Sequence, residues 1–248
     1  MLLHAIETSF VKTMDNLTKA LAAWISFHDQ IGVDLKALLY PGASEADILA
    51  VESRLGFDLP ADLKALYRIA DGQINPWEAP VAQAQFHAGK NLAAMFGHFR
   101  FLSLQEALAE HQERLAIFEE EGTFEPWGLR PEDPIAAVDW RPAWFAFASA
   151  DEGNGYAVDT APPSGGHIGQ IIQVGPDFER HLIAESLTEL MSQAALKIPP
   201  NQPGRFAWDK HDALDQPDYV EFNMDWNWEP PTPPSAEEIA LAKARGRE

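Results

Sequence analysis

Few side chains in this chain stand where bond-making chemistry would need them. Cysteine is absent from all 248 residues, which removes disulfides, thiolate nucleophiles, zinc ribbons and iron–sulfur clusters together. Any reaction must use oxygen or nitrogen groups. A metalloprotease helix sets two histidines four apart with a glutamate between them, so that both imidazoles reach one ion. Ala109-Glu110-His111 has the Glu-His pair but lacks the second histidine. At Gly89-Lys90-Asn91 a phosphate-cradling loop fails for want of an upstream glycine at the required spacing and of a hydroxyl for magnesium. No Gly-x-Ser-x-Gly elbow exposes a serine. The run Asp151-Glu152-Gly153-Asn154-Gly155 offers one side-chain carboxylate, Asp151, at the alternate positions of a calcium loop, and reads instead as a β-turn. The eight histidines are scattered, with His167 beside two glycines and His181 in an expected strand. Glu119-Glu120-Glu121 is most simply a solvated helix end, since glycoside chemistry would need two carboxylates facing across a cleft. The expectation is no catalytic residue, no metal site and no cofactor.

The charge balance is lopsided. Lys and Arg total 18 against 38 Asp and Glu, a net charge of −20. Such a field keeps a protein soluble, repels phosphate backbones and attracts basic proteins. Direct nucleic-acid binding is not expected; a basic protein partner is. A hydrophobic share of 46% with 10% aromatics excludes wholesale disorder. No stretch approaches the roughly 20 apolar residues of a bilayer-spanning helix, and MLLHAIETSF has neither a basic start nor a cleavable apolar core. The reading is a soluble, cytoplasmic protein. Trp140-Arg141-Pro142-Ala143-Trp144 holds two indoles of the kind enriched at binding hot spots, with core packing as the plainer reading.

These residues need elements to position them. Leu17, Leu21, Trp24 and Ile25 recur at helical spacing within residues 1–39, and Asp34 can cap Leu35–Leu39. Ser44 with Asp47 starts a helix whose stripe is Ile48, Val51 and Leu55 and whose end is Gly56. Leu59-Pro60 opens its hairpin partner, with Leu63, Leu66 and Ile69–Ala70 inward until Gly72. Residues 73–98 are left open between a surface excursion and a weak helix. Phe99–Leu102 alternates as a short strand, and Ser103 with Glu106 caps a helix through Leu108, Leu115 and Phe118 to Gly122. Pro126, Pro131 and Pro134 make a loop. Ile135–Val138, Ala143–Ala148, Tyr156–Asp159, Gly169–Val174 and His181–Ala184 then read as strands of one antiparallel sheet, with 151–155 as a hairpin turn. Ser186 and Glu189 cap a helix to about Lys197. Eight of the 19 prolines fall between 199 and 234 in an extension carrying Tyr219, Phe222, Trp226 and Trp228, before a short helix from Ser235 to Arg247. That extension either lies over the main domain, burying its rings, or docks a partner.

The order of these pieces is itself informative. Pro41-Gly42-Ala43-Ser44 through Ile48, Glu52, Leu55-Gly56, Leu59-Pro60, Leu63 and Asp71-Gly72-Gln73 resembles the opening helical hairpin of the SMI1/KNR4 (SUKH) family. Phe101 to Ala107 resembles the strand and helix that follow. Trp140 to Phe147, Asp151 to Asn154, Ala157-Val158-Asp159, Pro162 and Gly169 to Ile172 resemble its strand-turn-strand core, ending at Ala184 and the helix from Ser186 to Leu190. The resemblance covers about 41–195; the N-terminal helices, 73–98 and the aromatic extension depart from the shorter bacterial members. It implies an α/β fold of α+β type, a central, mostly antiparallel sheet flanked by helices. In domain terms these are an N-terminal helical segment 1–40 packed on the domain, an SMI1/KNR4-like domain 41–198 and a C-terminal extension 199–248. It also implies a non-catalytic protein-binding role: immunity proteins neutralising toxins among bacterial relatives, cell-wall coordination among fungal ones. The partner surface so implied includes Asp71, Gln73 and Trp77 after the first hairpin and Asp151, Glu152 and Asn154 in the later turn. A basic toxin is the leading partner, a scaffold for cell-wall synthesis the alternative, and a carboxylate-based hydrolase the third reading.

Overall fold

A computed structural model of the chain describes residues 2–121, 129, 132–150, 153–175, 180–197, 208–209 and 219–220. Helix α1 (Leu2–Gln30) leads through a 3-10 turn, Leu35–Leu38, whose Asp34 side chain accepts from the Ala37 amide, to α2 (Glu45–Leu55) and α3 (Ala61–Ile69). In α2 the local chemistry is complete at both ends. Ser44 and Asp47 bond each other's backbone amides, and Gly56 closes the helix at φ 77°. Helix α3 stops at Ile69, ahead of Gly72, because Ala70 is already extended (φ −147°, ψ 128°) and Asp71 bonds back to the Pro41 carbonyl; of the pair expected inward, Ala70 is buried and Ile69 is exposed.

Five strands form one antiparallel sheet in sequence order: β1 (Arg100–Phe101), β2 (Trp144–Ser149), β3 (Gly155–Asp159), β4 (Gln170–Val174) and β5 (Leu182–Ala184). With its flanking helices it makes the α+β fold expected from the sequence. Every residue of β2 and β3 is buried, so the sheet is covered on both faces. Phe145, Phe147, Tyr156, Val158 and Ile171 enter the main core with Trp24, Leu63, Leu66 and Leu190, while Trp144, Ala146, Ala157, Ile172 and Val174 form a second core. A register shift between Ala146 and Ala148 lets consecutive Phe147 and Ala148 both enter the main core. Helix α5 (Leu104–Glu121) packs on β2, and α6 (Leu187–Lys197) packs on α1, α3, β4 and β5.

The segment left open, 73–98, contains α4 (Ala79–His87) and then an irregular run with isolated bridges, in which Ala93, Met95 and Phe96 are core residues. Ile135–Val138 is not a strand. Its amides close local turns instead, Ile135 to Asp133 and Val138 to Ala136, while Ile135 still fills the second core. Beyond Lys197 a two-residue pair is described, β6 (Trp208–Asp209) with β7 (Tyr219–Val220). The expected helix Ser235–Arg247, the rings of Phe222, Trp226 and Trp228, and the prolines Pro126 and Pro131 lie outside the described residues.

Candidate partner-binding face

The sheet does not end at β1. The Gln73 amide donates to the Phe101 carbonyl at 2.8 Å, and Leu39 pairs with Gln73, so two irregular segments continue the sheet beyond its first strand. Close approach makes this arrangement possible: Gly72 sits at φ 91°, and a β-carbon there would overlap the Ser103 amide nitrogen. Asp71 then reaches across to accept from the Leu104 amide at 2.8 Å, at the start of α5. Burial raises the Asp71 pKa, the Leu104 amide opposes that shift, and the Asp47 and Glu106 carboxylates add to it.

Gln73 is fully buried. Its amide group donates to the Ala93 carbonyl and accepts from the Met95 amide, both at 2.8 Å, pinning the irregular run against the sheet edge. Its role at this face is therefore to hold the loop. Arg100 donates to the Gln73 carbonyl at 3.0 Å and grips Glu106 with two bonds of 3.1 and 2.9 Å. Burial would push Glu106 upward, but Arg100 and the Ser103 amide and hydroxyl together hold its pKa below the usual range. Beyond Gln73, the Asn75 side chain accepts from the Trp77 amide at 3.1 Å, and the Trp77 side of this turn is open, 46% exposed, beside exposed Glu78.

On the other side of β1, Arg100 stands opposite Ser149, the last residue of β2. The hairpin closes there through Ala150 and Asn154, whose amide and carbonyl bond at 2.8 Å, with Gly153 at φ 77°. Arg114 of α5 donates to the Gly153 carbonyl and so ties the turn to the helix. Asn154 is buried, its side-chain oxygen where a β-carbon on Gly175 would fall, so it too braces the turn from within. Asp151 and Glu152 lie outside the described residues. The structure thus places Asp71, Gln73 and Trp77 on one side of β1 and the hairpin end on the other, about 10 Å across at ordinary strand spacing. Sequence reasoning passed over Arg100 and Arg114. Both are scarce cations in an acidic chain, and that scarcity was the available signal.

Asp71 and Glu106 are engaged by backbone amides or Arg100, and among the described residues no group of three His, Asp or Glu could hold a metal ion. His28 and His111 belong to the interior, each with Nδ1 2.9 Å from a carbonyl, of Trp24 and Trp144 respectively. Burial lowers both pKa values, that of His28 to about 4. Trp140 and Trp144 are buried in the second core, which answers the choice between hot spot and packing in favour of packing.

Taken together, the order of strands and the hairpin-plus-helix frame define an α+β domain of the type anticipated from the motifs. The profile of the SMI1 / KNR4 family (SUKH-1) matches residues 42–193, and the chain belongs to that family. It is 23% identical over 219 residues to the cell wall assembly regulator SMI1 of Saccharomyces cerevisiae (strain ATCC 204508 / S288c), a match covering 75% of this chain and 41% of the yeast protein. The chain therefore spans about two fifths of that curated relative's length. Among the described residues no helix is long and apolar enough to cross a membrane.

Proposed function

We propose that this chain is a non-catalytic, cytoplasmic protein-binding module that takes a basic partner on the face around β1, with Trp77 as its apolar anchor. The observation that carries the reading is a 46%-exposed indole held by an Asx turn at an extended sheet edge. An ordered aromatic in that setting loses little entropy on binding, and its acidic surroundings favour a cationic partner. Asp71, Asp151 and Glu152 are assigned to the same face, with Gln73 and Asn154 as its internal braces. The partner we favour is a basic toxin domain, neutralised by being covered. Resemblance to a yeast cell wall assembly regulator supports the second reading, a scaffold for cell-wall synthesis. Affinity capture with the full chain, followed by titration of the purified partner, tests both. A basic partner whose association rate falls steeply with salt, and whose affinity drops about 10-fold or more in Trp77→Ala, is expected. An acidic partner, or an unchanged affinity in that variant, removes the proposal. Growth rescue on co-expression with the partner separates toxin neutralisation from scaffolding.

A further inference from the structure

The second core contains a cluster built on two indoles, Trp140 and Trp144. Trp140 and Trp144 meet edge to face with ring centroids 5.8 Å apart. The Arg114 guanidinium lies 4.7 Å from the Trp140 ring centroid and that of Arg180 5.1 Å from Trp144, so each indole carries one arginine. Arg180 is only 2% exposed. Its Nη1 donates to the Gln173 carbonyl at 3.2 Å and its Nη2 to the Asp139 carbonyl at 2.9 Å, yet Nε has no acceptor among the described residues. Trp140, 3% exposed, likewise has an indole N–H without an acceptor among the described residues. Buried donors in native proteins are nearly always satisfied, and while Trp144 bonds the Asp159 carboxylate, Arg180 Nε and Trp140 Nε1 ask for a missing acceptor.

The charges point the same way. Arg114 has Glu110 as a close counter-charge at 2.7 Å. Among the described residues Arg180 has only Asp139 as a counter-charge, half exposed and 3.4 Å away, longer than a strong charge-assisted bond. Burial, opposed by Asp139 and reinforced by the neighbouring Arg114, lowers the Arg180 pKa to about 10, so at neutral pH the group remains a cation beside another cation. An acceptor carrying negative charge would satisfy the donors and relieve that repulsion; water would do only the first.

We propose that this cluster is an oxyanion-binding site, where a carboxylate or phosphate oxygen accepts from Arg180 Nε and Trp140 Nε1 between the two guanidiniums. The site lies in a chain of net charge −20 and is tested with small anions, without knowledge of the protein partner.

Full-length protein, labelled for observation of arginine Nε–H and indole N–H resonances, is titrated at constant ionic strength with inorganic phosphate in one arm and acetate in the other. Saturable one-to-one shifts of the Arg180 Nε–H and Trp140 Nε1–H signals are expected, and the tighter arm names the source. Trp140→Phe keeps the ring and deletes the donor, and should weaken binding about 5-fold. Arg180→Met should abolish it; should that variant not fold, Arg114→Gln, which removes the other guanidinium, should weaken it at least as much as Trp140→Phe. Absence of saturation in both arms to about 50 mM, equal affinity in Trp140→Phe and Arg114→Gln, or an ordered water alone on Nε in a structure determined in phosphate would each overturn the site.

Discussion

Glu52 illustrates how a charged residue in an acidic chain becomes part of the frame. Its side chain is almost wholly buried, accepting from the Leu59 amide at 2.7 Å and from the Lys64 ammonium at 2.9 Å, so it ties the end of α2 to the start of α3. Glu52→Ala strands a buried amide and should cost about 2 kcal/mol, while Glu52→Gln, which keeps an acceptor, should cost visibly less; denaturant midpoints compare the two. His28 gives a prediction of opposite origin. Burial holds its folded pKa near 4 against 6.5 unfolded, so between those values the unfolded chain binds the proton that the folded chain excludes. Stability therefore falls as pH drops from 6.5 toward 4, by about 3 kcal/mol in full, and returns as pH rises. His28→Gln should flatten that slope in a series of unfolding curves, whatever uniform loss it brings.

At the level of elements, the crossing of 71–73 with 102–104 decides where the candidate face sits. Gly72→Ala would force both a positive φ and an overlap with the Ser103 amide, and should destabilise by at least about 2 kcal/mol. Ser103→Ala removes one cap of α5, where Ser103 Oγ accepts from the Glu106 amide at 3.3 Å, and should cost about 1 kcal/mol. Faster hydrogen exchange confined to the first turn of α5 would mark the second variant, and a globally lowered melting temperature the first. The cap at Glu189 differs in detail from the sequence expectation: Ser186 accepts from the Glu189 amide, but the Glu189 carboxylate bonds the Glu185 amide instead of closing the box on Ser186.

Across the whole molecule, α1 is no appendage. Leu17, Leu21, Trp24 and Phe27 lie in the main core, α1 packs on α3 and α6, and Trp24 donates to the Met95 carbonyl at 3.0 Å. Trp24→Ala should cost about 4 kcal/mol, a large share of the total stability of an ordinary domain. A chain beginning at residue 35 should lose its single cooperative unfolding transition by calorimetry. Retention of that transition would mean that the family-matched region, 42–193, carries the core without α1.

Much of this architecture was legible in short-range chemistry. Ser44 with Asp47, Gly56, Pro60 and the glycines of the 151–155 turn act on neighbours a few residues away, so their spacing alone marked the helix ends and the hairpin. Ile135–Val138 misled because an apolar run specifies burial before it specifies backbone pairing, and burial is what it has. Burial of Gln73 and Asn154, and the pairing of Arg114 and Arg180 with Trp140 and Trp144, depended on contacts between residues tens of positions apart. Polar side chains have no intrinsic inside or outside; whether they face solvent is decided only when distant backbone groups arrive to accept or donate.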